Sequence, residues 1–169
     1  MLGNMLKILR QISEIIAKTG DYDFTLAQIV TILAEELGVD ACSVYEYHEA
    51  NNELVLAATY GLAAEAVKKV VLKPGEGLTG TCFKERRIIN VANPHQHPKF
   101  KHFPATGEDR YHSFLGVPLT ISGKCLGILS IQSVRDQEFE PALADMVRPL
   151  STQLANLILN TKILRGLQG

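Results

Sequence analysis

Leu2, Met5, Leu9, Ile12 and Ile16 recur at alternating spacings of three and four, one seam along an N-terminal helix within residues 1–20. Asp21 and Asp23 then offer capping side chains to a second helix over 24–37, ended by Gly38. Ile29, Ile32, Leu33 and Leu37 mark its inner face. The period shifts to two in "ACSVYEYHE" and "ELVLAATY", a strand pair turning at Asn51-Asn52. After "LAAEAVKKVVLK" come "PGEGLTG", a brief helix through Phe83 and the strand "IINV". A loop rich in His and Pro separates these from "SFLGVPLTI" and "CLGILSIQS", strands around Ser122-Gly123-Lys124. Leu115, Val117, Leu119 and Ile121 share one face of the first, where Pro118 predicts an edge or a bulge. Cys125, Gly127, Leu129 and Ile131 share a face of the second. A last helix starts near Pro141 and spans 140–166, with a seam of Leu143, Val147, Leu150, Leu154, Leu157 and Leu164 and a kink expected at Pro149. The pattern predicts an α+β fold, an antiparallel sheet flanked by terminal helices.

The 169 residues suit one domain with a sizeable core and are too few for two. A net charge of −1 gives no general reason to bind nucleic acid. Locally, Lys84, Arg86, Arg87, Lys99 and Lys101 against Glu85 form a basic stretch suited to a small anion. The N-terminus, interrupted by Lys7, Arg10 and Gln11, does not read as a signal peptide, and no run approaches a membrane span. Cys42, Cys82 and Cys125, odd in number and without a C-x-x-C pair, predict reduced, buried thiols and a cytoplasmic setting.

"GEGLTG" matches G-x-G-x-x-G in letters only: the dinucleotide site also needs a buried strand before it and an acid about twenty residues on. Residues 95–102 contain no acid, so Gly75, Gly77 and Gly80 read as turn and close-packing residues, with no cofactor expected. Four of the five histidines fall between residues 95 and 112. His95-x-His97 with His102 or His112 has zinc-like spacing, but Pro94, Pro98 and Pro104 interrupt it and no cysteine is near. The expectation is hydrogen-bonding loop histidines and no metal. His112 and Ser113, adjacent at a strand start, should face opposite ways, so they do not form a base–nucleophile pair. No catalytic residue is expected.

The element order, with "GEGLTG" and the pair "LGVPL" and "LGIL", resembles a GAF domain over nearly the whole chain. That resemblance implies a mostly antiparallel central sheet, terminal helices packed on one face, and a loop-covered ligand cavity on the other. "HPKFKHFPATGEDRYHSFLGVPL" is more narrowly similar to the N-terminal GAF domain of the nitrogen-related phosphoenolpyruvate–protein phosphotransferases. In that family the GAF domain is a regulatory input associated with glutamine and 2-oxoglutarate. Phosphoenolpyruvate and a small phosphocarrier protein act on other domains, so residues 1–169 would be a fragment of a longer protein.

On this reading the His-rich stretch roofs the cavity, with His97 and His112 ordering it. Tyr45, Phe100, Glu108, Tyr111, Ser113 and Phe114 are expected near a small-molecule effector, with Glu108 facing an ammonium and Arg110 a carboxylate. The terminal helices are expected to form a homodimer, without nucleic acid or membrane. The alternatives are an input domain of a sensor kinase or transcription activator, and a ligand-free dimerisation module. A cyclic-nucleotide site, a bilin site and a free methionine sulfoxide reductase fit poorly. Their Asp-Glu spacing, Cys-His pair and pre-strand cysteine are all missing.

Overall fold

The computed structural model describes residues 2–18 and 20–168. The side chains of Leu2 and Gln168 lie outside the described residues, so the first position of the N-terminal seam does too. Helix α1 spans Leu2–Lys18 and α2 spans Tyr22–Leu37. Strands β1 (Ala41–His48) and β2 (Glu53–Tyr60) precede β3 (Val71–Leu72) and helix α3 (Gly77–Glu85). Then come β4 (Ile89–Ala92), β5 (Ser113–Ile121), β6 (Lys124–Ser133) and helix α4 (Pro141–Gln168).

Local chemistry sets several boundaries. The Asp21 carboxylate accepts the Phe24 N–H at 3.0 Å, so α2 begins two residues earlier than the apolar pattern suggests. Gly38, at φ 66°, ends it with a left-handed cap donating to Ala34 and Glu35 carbonyls. Helix α4 continues through Pro149, whose missing N–H leaves the Asp145 carbonyl to solvent on an exposed face.

The sheet has order β3-β2-β1-β6-β5-β4 and every pairing is antiparallel. It is apolar on both faces. One face, through Val44, Leu115, Val117, Leu129 and Ile131, packs against Ile8 and Ile12 of α1, Leu26, Ile29, Val30 and Leu33 of α2, and Leu150, Leu154 and Ile158 of α4. The other, through Tyr45, Leu54, Leu56, Phe114 and Ile128, meets α3 and the loops.

Three sequence expectations change. Ile32 is only half-buried, because the inward stripe of α2 runs through Leu26, Ile29, Val30, Leu33 and Ala34. In α4 the buried stripe ends at Ile158, and Leu164 is 59% exposed, because the helix has run past the sheet. Cys125 does not share a face with Leu129 and Ile131. Between Pro118↔Ile128 and Thr120↔Cys125, two steps of β5 oppose three of β6, and that bulge reverses the facing of the residues before it. Cys125 therefore joins Ile128 on the loop side and Leu126 takes the helix side.

Gly127 fixes how closely the two central strands meet: a Cβ there would lie 2.1 Å from the Tyr45 carbonyl oxygen. Gly127→Ala should therefore cost about 3 kcal/mol or more in denaturant unfolding, because backbone cannot rotate away. Gly3→Ala, with nothing within 4 Å, should be neutral or stabilising in the same assay.

Candidate functional site

Residues 93–112 cross the second face as a roof of three short 3₁₀ turns, Pro94–Gln96, Pro104–Thr106 and Glu108–Arg110. Beneath them lies a cavity of about 20 Å³, room for one or two water molecules. Its floor is Tyr45 of β1, Leu72 of β3, Leu78 and Thr79 of α3, Phe114 of β5 and Gln132 of β6. Pro94, His95, Phe100, Lys101, Phe103, Glu108 and Tyr111 close it from above.

The glycine run allows this closeness. Gly80 lies so near the Lys73 carbonyl that a Cβ would sit 2.6 Å from it. Gly77, at φ 68°, would meet the Phe103 ring at 3.3 Å. Glycine here lets the roof press onto the start of α3, and the strand before it, β3, has only two residues. Glu76, just before α3, accepts the Lys73 N–H at 2.9 Å and pairs with Lys101 of the roof. The hydrogen bond from Lys101 holds the Glu76 carboxyl below its usual range.

Within the cavity Glu108 is the acidic group. Gln132 Nε2 donates to its Oε2 at 3.3 Å, and its pKa is raised chiefly by burial, against the lowering effect of Gln132 and Thr106 hydrogen bonds. Burial, then the nearby Glu108 charge, also raises the Tyr45 phenol. Among the described residues nothing hydrogen-bonds the hydroxyls of Tyr45 (4% exposed) or Thr79 (8% exposed), both of which line the space. The site is thus a small chamber with aromatic walls that holds one carboxyl, one amide and two unengaged hydroxyls, with the Lys101 ammonium and the His95 imidazole at its roof.

Of the residues expected from sequence, Tyr45, Phe100, Glu108, Tyr111 and Phe114 come together here. Arg110 and Ser113 do not. The Arg110 guanidinium lies outside, 4.9 Å over the Tyr111 ring, and donates to the Gly61 carbonyl, which also accepts the Tyr111 hydroxyl. Ser113 has the parity of Leu115 and Val117, and donates to the Ser133 carbonyl at 3.3 Å on the helix side.

His97 accepts the Lys99 N–H at Nδ1, 3.0 Å away, inside the roof. The histidine tying the roof to the chamber is His95, expected as a hydrogen-bonding loop residue but not among those ordering the roof. Its Nε2 meets the Tyr111 carbonyl at 3.1 Å and its ring packs on Phe100 and on His112. Thr79 and Gln132 were missed, and Lys101 was expected only as part of a basic stretch suited to a small anion. Only the parity of Gln132, an inward polar residue on an apolar strand, signalled it. Among the described residues no three His, Cys, Asp or Glu side chains converge as a metal-binding group.

A two-sided antiparallel sheet, with helices on one face and a roofed chamber on the other, defines an α+β domain of the sheet-and-helix class. The GAF domain profile matches residues 21–158, and this chain belongs to that family. More particularly, it is similar to the GAF domain of the Coxiella burnetii phosphoenolpyruvate-protein phosphotransferase. That solved structure is 38% identical with a TM-score of 0.89, covering 96% of this chain and 97% of that one. The phosphoenolpyruvate-dependent phosphotransferase system protein of Escherichia coli K12 is 30% identical over 159 residues, 94% of this chain and 21% of that protein. The Nif-specific regulatory protein of Azospirillum brasilense is 31% identical over 156 residues, 90% of this chain and 25% of its own length. The chain thus spans a quarter or less of these two relatives. Among the described residues no helix is long and apolar enough to cross a membrane.

Because burial raises the Glu108 pKa, ionising it costs more in the folded than in the unfolded chain. Its contribution therefore falls as pH rises through the raised value. Glu108→Gln should stabilise the chain near pH 7 by on the order of 1 kcal/mol, a gain that vanishes below the ordinary carboxyl range. Thermal unfolding of both forms across pH checks this.

Proposed function

We propose that this chain is the regulatory, metabolite-sensing input of a phosphoenolpyruvate–protein phosphotransferase, and that its ligand is glutamine. The observation that supports this is Glu108, a half-buried carboxyl beside unengaged hydroxyls in the chamber under the roof. An ammonium beside Glu108 relieves the cost of its buried charge, whereas the dianion 2-oxoglutarate adds repulsion. With Arg110 outside, the ligand carboxylate is taken by the Thr79 hydroxyl and the first-turn N–H groups of α3, which have no intrahelical partner. A free amino acid is several times larger than the 20 Å³ chamber, so binding requires the roof to lift.

In the parent protein, phosphoenolpyruvate and a small phosphocarrier protein act on other domains, in the cytoplasm. Leu6 of α1 and Ile163, Leu164 and Leu167 of α4, all more than half exposed, supply apolar surface for a homodimer through the terminal helices. The Nif-specific relative supports a second reading, in which the same input feeds a transcription activator. A methionine sulfoxide reductase role finds no support in the thiols. Residues 93–113 contain no cysteine, and burial pushes the Cys82 thiol up to about 12, far from a reactive thiolate.

Calorimetric titration of the 169-residue chain tests the proposal. Glutamine should bind, and Glu108→Gln should weaken it about ten- to a hundredfold, the worth of a charged hydrogen bond. Preferential binding of 2-oxoglutarate, or no response to glutamine, would overturn it.

A further inference from the structure

A set of contacts at the far end of α4 has no part in the chamber. The apolar anchors of that helix, Val147, Leu150, Leu154, Ala155 and Ile158, are all fully buried. Beyond them, among the described residues, no side chain of α4 is buried. Two basic residues of this overhang nevertheless turn back to the domain. Lys162 Nζ donates to the Tyr47 carbonyl at 2.7 Å. The Arg165 guanidinium lies 5.0 Å over the Tyr22 ring, and the Tyr22 hydroxyl donates to Glu46 Oε2 at 3.0 Å.

Both attachments converge on consecutive residues of β1, next to Tyr45 of the chamber. Pairing of β1 with β6 reaches Glu46 and goes no further, which leaves the Tyr47 carbonyl to Lys162. The Tyr47 ring in turn packs 4.5 Å from that of Phe83, on α3, whose first turn carries Leu78 and Thr79 into the chamber. The ladder between β1 and β2 is also interrupted by a register shift between Val44 and Tyr45.

We infer that Tyr45-Glu46-Tyr47 is a latch reporting chamber occupancy to α4: a ligand that spreads the chamber turns the Tyr47 carbonyl from Lys162 and frees the last turns of the helix. The inference rests on the chamber being a ligand site. Polar attachment suits the task, since one hydrogen bond and one stack can be released while the apolar anchors hold.

Hydrogen exchange of the 169-residue chain, followed at the roof and at residues 160–167, tests it with glutamine as probe. In the wild type glutamine should slow the roof and speed exchange at the end of α4 about fivefold or more. Lys162→Met should exchange fast there without ligand, gain nothing from glutamine, and bind it more tightly, because coupling between sites is reciprocal. A merely structural lysine would leave that affinity unmoved. A roof protected by glutamine over an unchanged α4 end overturns the latch. If the roof does not respond, the glutamine reading fails, and Thr79→Met, which crowds the chamber without ligand, decides the latch instead. Faster exchange at the end of α4 in that variant sustains it and unchanged exchange overturns it, with Gln132→Met substituting if Thr79→Met is unfolded.

Discussion

A six-stranded sheet that is apolar on both faces needs two covers, and helices α1, α2 and α4 supply only one. On the other face α3 covers only part, and the remainder must be closed by chain with no ladder to satisfy its N–H and C=O groups. The roof solves this with short-range bonds: Gln96 N–H to Asn93, His97 N–H to Pro94, Phe100 N–H to His97, Thr106 N–H to Phe103 and Tyr111 N–H to Glu108. It adds side chains where turns do not suffice, notably His95 on the Tyr111 carbonyl and Thr106 Oγ1 on Phe103. Within residues 93–112 only Pro94, Thr106 and Tyr111 are buried, and these bonds hold the rest of the segment at the surface above them.

That constraint separates what was legible in the sequence from what was not. Helices and strands followed from periodicity, because each buries a face whose repeat the side chains must keep. The facing of Cys125 did not, since a single extra residue in β6 reverses parity and bulges leave little mark in composition. In the roof, Glu108, Phe100 and Tyr111 were recognisable by type and resemblance. Arg110 was not placeable, because a long guanidinium can reach either into a chamber or back to a carbonyl such as Gly61, and only the turn at Glu108–Arg110 decides. Ser113 fails for a simpler reason: it is one residue from Phe114, and adjacent strand residues face opposite ways.

A closed chamber also shapes affinity. When the competent form is a minor one, apparent binding is weakened by the fraction of molecules that are open. On the proposed reading, His112, which packs on His95 without lining the chamber, tunes response range by setting how often the roof lifts.

The perimeter of the roof differs in kind from its middle. Lys101 forms an ion pair with Glu76 and His102 Nδ1 lies 2.8 Å from the Asp109 carboxylate at the solvent edge, whereas Phe100, Phe103 and Tyr111 are apolar. Mobile counterions screen charges at the perimeter and leave the aromatic centre untouched. Rising ionic strength therefore weakens the pairing of Lys101 with Glu76 and leaves the aromatic packing of the roof in place.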